Sequence, residues 1–186
     1  MAGRICPVWI GYILLNPFRR LVQNPEKILR PFLRRGMRVL DFGSAMGYFS
    51  IPMARIVGPE GRVVCVDIQE GMLEVLRKRA GRAGVDGTIE PFLISGSALS
   101  LDGYRNGIDF VLLFAVAHEV PDQEILFREL YQALKQGGRM LFSEPSGHLS
   151  RAEYEASVSL AESQGFRRVE PVRIRGGFSL LMEKPL

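Results

Sequence analysis

The stretch MRVLDFGSAMGYFS, Met37 to Ser50, decides the fold. Met37, Val39 and Leu40 make an apolar run, Asp41 interrupts it with an acid, and Gly43, Ser44, Ala45, Met46 and Gly47 follow before an apolar periodicity resumes. That order is a strand, a glycine turn and a helix start. Glycine admits positive φ and lets a ligand lie against the main chain, while the open N–H groups of the next helix face whatever sits above the turn. A nucleotide-like ligand is the expected occupant. A dinucleotide site wants G-x-G-x-x-G. Here Ala45 stands where the second glycine would be, Tyr48 fits no third glycine, and an acid sits two residues ahead of Gly43, so the form is D-x-G-x-x-x-G.

The stretch resembles motif I of the class I S-adenosylmethionine-dependent methyltransferases, D-x-G-x-G-x-G, with Ala45 at the middle glycine. The resemblance implies that Asp41 helps hold the methionine amino group. It also implies that the turn of Gly43, Ser44 and Gly47 makes room for the methionine part of the cofactor.

Outward from the turn, Tyr48 to Val57 reads as a helix and Gly58 to Gly61 as a turn. The β-branched run Arg62 to Asp67 reads as a strand buried on both faces, which belongs in the middle of a parallel sheet. Asp67 lies about 20 residues beyond Gly47, at the end of this second strand, where an acid accepts hydrogen bonds from ribose hydroxyls. It would equally serve as N-cap of the helix Gln69 to Ala83. The resemblance gives Asp67 the ribose role and sets Ile68 beside the adenine. A third strand, Thr88 to Ile94, leads into Ser95-Gly96-Ser97-Ala98. The family often has G-D-A here, the acid contacting the adenine amino group. Ser97 replaces that acid with a hydroxyl that still accepts a hydrogen bond.

Asp109 to Phe114 is the fourth strand, and the loop Ala115 to Asp122 lies beyond its carboxyl end, where ligands of open α/β sheets bind. Phe114 and the pair Ser97-Ala98 join the expected cofactor contacts. The helix Gln123 to Lys135 is expected to end in a glycine stop, Gln136-Gly137-Gly138, before a fifth strand from Arg139 to Glu144. The run from Ile108 to Glu144 resembles the methyltransferase stretch ending L-K-x-G-G. A helix Ser150 to Gln164 and two strands joined at Gly176-Gly177 close the chain. Methyltransferases of this class end in such an antiparallel hairpin. The expected fold is therefore α/β, a Rossmann-like doubly wound sheet of seven strands in the order 3-2-1-4-5-7-6. Its last strand is antiparallel and helices cover both faces.

A chain of 186 residues, 47% hydrophobic and 24% charged, suits one domain with a sizeable core. The expected organisation is a single methyltransferase domain, 1–186, with an N-terminal helical lid over 1–36 and the core over 37–186. The apolar stretch Val8 to Leu15 falls short of the roughly 20 residues that span a bilayer and lacks a signal-peptide layout. The expected setting is cytoplasmic. Net charge is +4, and ahead of the core strand lie Arg4, Arg19, Arg20, Lys27, Arg30, Arg34, Arg35 and Arg38 against the single acid Glu26, interleaved with Trp9, Tyr12, Phe18 and Phe32. Such a segment meets phosphates, anionic lipid or an acidic substrate, or is simply a lid with solvated arginines.

Methyl transfer from a sulfonium is an in-line displacement that needs placement and sometimes a base for the acceptor's proton. The loop after the fourth strand is not the Asn/Asp-Pro-Pro-aromatic motif used for amino groups of nucleic-acid bases, and no cysteine lies over the site. The two histidines, His118 and His148, follow the fourth and fifth strands. His118 is the candidate general base, since an imidazole titrates near neutrality. Its plainer role is to pack the loop. His148 is the weaker candidate. The spacing of His118, His148, Glu119 and Glu144 demands no metal. The expected activity moves a methyl group from S-adenosylmethionine to an O, N or C atom of a small-molecule acceptor. An RNA acceptor held by the basic leader, or a non-catalytic S-adenosylmethionine-binding protein, stays as an alternative.

Overall fold

The computed structural model describes residues 23–94 and 99–186. Seven strands form one sheet in the expected order, β3-β2-β1-β4-β5-β7-β6. The chain divides into two compact units that meet in sequence at Gly96 and Ser97.

In the first unit β1 (Arg38–Phe42), β2 (Arg62–Asp67) and β3 (Ile89–Leu93) run parallel, with Asp41 opposite Cys65 and Asp67 opposite Leu93. Val39, Leu40 and Val63 to Val66 are wholly buried, as the uninterrupted apolar runs require of central parallel strands. Helix α1 (Pro25–Leu29) starts at Asn24-Pro25, an N-cap followed by a proline in the first turn, the Asn24 side chain accepting from the Lys27 N–H at 3.2 Å. Leu29 and Leu33 are buried and α1 packs on α2 (Ser50–Val57), so residues 23–36 contribute to this unit's core. Each such leucine stabilises by about 2 kcal/mol. The α2 helix begins two residues later than its periodicity suggests, because Tyr48 stays in the turn with its hydroxyl donated to the Gln23 carbonyl at 2.7 Å. Helix α3 (Glu70–Ala83) buries Met72, Leu73, Leu76 and Ala80 and ends at Gly84, whose left-handed backbone lets its N–H reach the last turn.

In the second unit β4 (Ile108–Phe114) and β5 (Leu134–Pro145) are parallel. β7 (Gly177–Glu183) runs antiparallel to β5 and to the exposed edge strand β6 (Arg167–Pro171). Helix α4 (Gln123–Ala133) does not reach the glycine pair that was expected to stop it. Leu134 is already extended, buried and opposite Ile108, and Gly137 and Gly138 belong to the strand. They bend it: Gly137, at φ +73°, donates to the Lys184 carbonyl at 2.8 Å, and the Lys184 N–H returns to Gly138. The Lys184 ammonium, 6% exposed, donates to Asn106 Oδ1 and to the carbonyls of Tyr131 and Leu134, closing this end of α4. Helix α5 (Arg151–Ser163) opens with a complete capping box from Ser150 and Glu153. Its Tyr154 stacks on Phe142 and lies against Phe178. Among the described residues no helix is long and apolar enough to cross a membrane.

Candidate active site

The glycine turn is held from below by the second strand. The N–H groups of Gly43, at φ +74°, and Ser44 both donate to the Val66 carbonyl, at 2.9 and 3.0 Å. The Ala45 N–H donates to Asp67 Oδ2 at 2.8 Å, the Gly47 N–H returns to the Ser44 carbonyl, and Arg79 donates to the Met46 carbonyl. Gly47 sits at φ +80°, and a Cβ there would run into Leu76. Ala45 takes the left-handed conformation too, at φ +45°, where a Cβ costs about 1–2 kcal/mol. The alanine keeps the backbone path that the family's glycine would follow, at the cost of local strain.

Two acids end beside this turn. Asp41 is 3% exposed and accepts from the Ser50 hydroxyl at 2.5 Å. Burial pushes its carboxyl up to about 7, the Ser50 bond opposes that rise, and the charge of Asp67 adds to it. Asp67 is raised as well, chiefly by burial, against the pull of the Gln69, Ala45 and Ile68 N–H groups. It is not the N-cap of α3: Gln69 holds that place, and Asp67 Oδ1 accepts from the Gln69 N–H at 2.9 Å. Next to it Ile68 is 52% exposed, an aliphatic side chain about half of which is open. The Ser44 hydroxyl, 4% exposed, is a buried oxygen without a hydrogen-bond partner. Two raised carboxyls, an orphaned hydroxyl and an open apolar side chain ask for a cation, hydrogen-bond donors and a flat apolar group. An amino-bearing sulfonium nucleoside offers all three.

In the first unit, then, Asp41, Gly43, Ser44, Gly47, Asp67 and Ile68 come together. Ser97 and Ala98 lie outside the described residues, as do Trp9, Tyr12 and Phe18 of the leader. Phe114, half-buried, ends β4 in the second unit. Beyond it Ala115 is again left-handed, at φ +57°, with its N–H on the Ser143 carbonyl at 2.8 Å. The chain then makes a short 3₁₀ turn over Ala117–Glu119. Glu144, 1% exposed near the end of β5, organises this turn: Oε1 accepts from the Ala117 N–H at 2.7 Å and Oε2 meets His118 Nδ1 at 2.6 Å. That bond raises the His118 pKa above its usual 6.5 in spite of partial burial. Glu119, its sequence neighbour, stands 4.0 Å from His118 Nε2. His148 Nδ1 lies 3.2 Å from the same nitrogen, the two rings meeting edge-on. Among the described residues no group of three or more His, Cys, Asp or Glu is arranged for a metal ion.

A family model described as "Methyltransferase domain" matches residues 33–170. The chain belongs to this methyltransferase family. It is 36% identical to the ubiquinone/menaquinone biosynthesis C-methyltransferase UbiE of Pseudomonas entomophila over 127 residues, 67% of this chain and 49% of that one. With the UbiE of Haemophilus ducreyi it shares 37% over 116 residues, 61% of this chain and 44% of that one. The chain thus spans about half the length of the curated relatives it matches. A crystal structure of a SAM dependent methyltransferase from Aquifex aeolicus has the same fold, with TM-score 0.84, 22% identity and coverage of 97% of this chain and 100% of that one. The cofactor of the family is S-adenosylmethionine, and the turn, its two acids and Ser44 fit that molecule. Sequence reasoning missed Ser50 as the partner of Asp41 and Arg79 as a brace of the turn. Ser50 sits one turn past the glycines, which is its only signal.

Proposed function

We propose that this chain transfers the methyl group of S-adenosylmethionine to an O, N or C atom of a small-molecule acceptor. The observation that carries the reading is the pair of buried acids at the glycine turn, both raised, in a turn that also holds an unsatisfied Ser44 hydroxyl. When bound, S-adenosylmethionine supplies an electrophilic methyl on a sulfonium. Asp41, once ionised, pairs with the amino group, Asp67 accepts from the ribose hydroxyls with the lone pairs its backbone bonds leave over, and Ile68 lies against the adenine. Asp67 is the stiffer of the two acids, since two N–H groups already fix its plane. The paired imidazoles of His118 and His148 are the bases available for the proton that the acceptor loses. The UbiE proteins it matches are C-methyltransferases, which puts carbon acceptors first. The cytoplasm is the proposed setting, supported by Cys65, a free buried thiol.

Calorimetric titration with S-adenosylmethionine, S-adenosylhomocysteine and NADH tests the cofactor. Micromolar binding of the first two and none of NADH is expected. Binding of NADH, or no binding of either sulfur ligand, refutes the reading. Screening acceptors in pools against labelled S-adenosylmethionine then identifies the substrate.

A further inference from the structure

The nitrogen that would make His118 a base is not open. Glu144 takes an N–H from Ala117 on Oε1 and accepts from His118 on Oε2, the bond that raises the His118 pKa, so His118 Nδ1 carries the hydrogen. The neutral ring then has its lone pair on Nε2. That lone pair points at His148 Nδ1, 3.2 Å away, and one of the two nitrogens must donate. Since His118 Nε2 has no hydrogen, His148 Nδ1 has it, and His148 is left with a bare Nε2 on an exposed ring. Each tautomer follows from the one before it, beginning at a carboxylate that the core has fixed.

We infer that Glu144, His118 and His148 form a proton relay in which His148 Nε2 meets the acceptor and Glu144 is the positioning residue at the far end. This rests on the methyl-transfer reading. As the acceptor atom attacks the methyl, its own bond to hydrogen breaks and an N–H bond forms at His148 Nε2. The His148 Nδ1–H bond breaks and its proton passes to His118 Nε2. The sulfonium loses its positive charge as the methyl leaves, and one positive charge appears on the His118 imidazolium, 2.6 Å from the Glu144 carboxylate. No other reactant is needed. The charges facing the pair are Glu144 from β5 and Glu119 from the same turn, while the Tyr154 phenol of α5 lies close enough to feel Glu144. The two carboxylates favour the imidazolium, so the proton is drawn inward from the exposed ring to the half-buried one.

Long-range proton–nitrogen NMR of the whole chain tests this, because there are only two histidines and one substitution assigns both. The spectra are recorded on the wild type, Glu144→Gln and His148→Asn across the pH range. Gln keeps an acceptor for the Ala117 N–H, and His148→Asn alters an exposed ring, so circular dichroism should stay unchanged. Neutral His118 is expected as the Nδ1–H tautomer with Nε2 shifted as a hydrogen-bond acceptor. Glu144→Gln should lower its proton affinity about tenfold or more, and His148→Asn should remove the acceptor shift at Nε2. Two histidines titrating independently, with His118 unmoved in folded Glu144→Gln, overturn the relay. The readout needs no acceptor: a chain that fails to bind S-adenosylmethionine refutes the methyl-transfer reading alone, and independent titration in a chain that binds it refutes the relay alone.

Discussion

Replacing Asp41 with Asn should make the folded chain more stable at alkaline pH while weakening its hold on S-adenosylmethionine. The side chain is 3% exposed, and its carboxyl stays protonated up to about pH 7, against 3.8 when the chain is unfolded. A raised acid stabilises fully only below its unfolded value, and that contribution drains away as pH climbs to the folded one. Between about pH 5 and about pH 8.5 the wild type should therefore lose roughly 3 kcal/mol through this group. Asn mimics the protonated form and still accepts from Ser50, so it has nothing to lose. Asp67 and His118 are also raised and drift in the same direction, which is why the comparison is the difference between the two proteins. Urea unfolding at the two pH values is the assay. The stability advantage of Asp41→Asn should be larger at the alkaline value by on the order of 3 kcal/mol. A difference that is the same at both pH values would show that Asp41 is not held neutral, and the account of the site would fail with it. Calorimetry supplies the second arm: the variant should bind S-adenosylmethionine at least tenfold more weakly. Wild-type affinity should be about tenfold lower at about pH 6 than on its plateau, because the amino group needs an ionised partner.

Ala45→Gly relieves a Cβ at φ +45°, and after the added freedom of the unfolded chain is subtracted it should gain about 0.5–1 kcal/mol. A lower melting temperature would refute the strain assigned there. Gly47→Ala should cost about 1–3 kcal/mol, from the positive φ and the displacement of buried Leu76, and a neutral result in thermal unfolding would contradict the packing. Once an acceptor is found, product formation should rise with pH through a value above 6.5, since the relay works only with neutral imidazoles and the Glu144 bond holds the proton on His118. In Glu144→Gln that rise should move to lower pH. The stability supplied by the His118–Glu144 pair runs the other way, complete below 6.5 and lost as pH passes the raised value.

Much of this protein is written locally. The apolar runs at Val39–Leu40 and Val63–Val66, the glycines at 43 and 47, and Asn24-Pro25 act over a few residues. Their elements stand where periodicity and capping rules put them. The acid at the end of β2 was legible for the same reason, since a strand and a helix of ordinary length separate it from the turn. What tertiary structure alone decided depends on groups far apart in sequence. Gly137 and Gly138 look like a helix stop, and only Lys184, just past the end of β7, makes them a bend in a strand. Glu119 is His118's neighbour in sequence, yet Glu144, 26 residues away, takes the ring, because a strand end brings a buried carboxylate to 2.6 Å while the adjacent one stays at 4.0 Å. Asp41 reads as an ordinary acid in the chain; burial in β1 and the nearness of Asp67 make it neutral at the pH where most carboxylates are charged. Backbone conformation answers to near neighbours, but the state of a proton answers to the water and charge that the folded core removes or brings close.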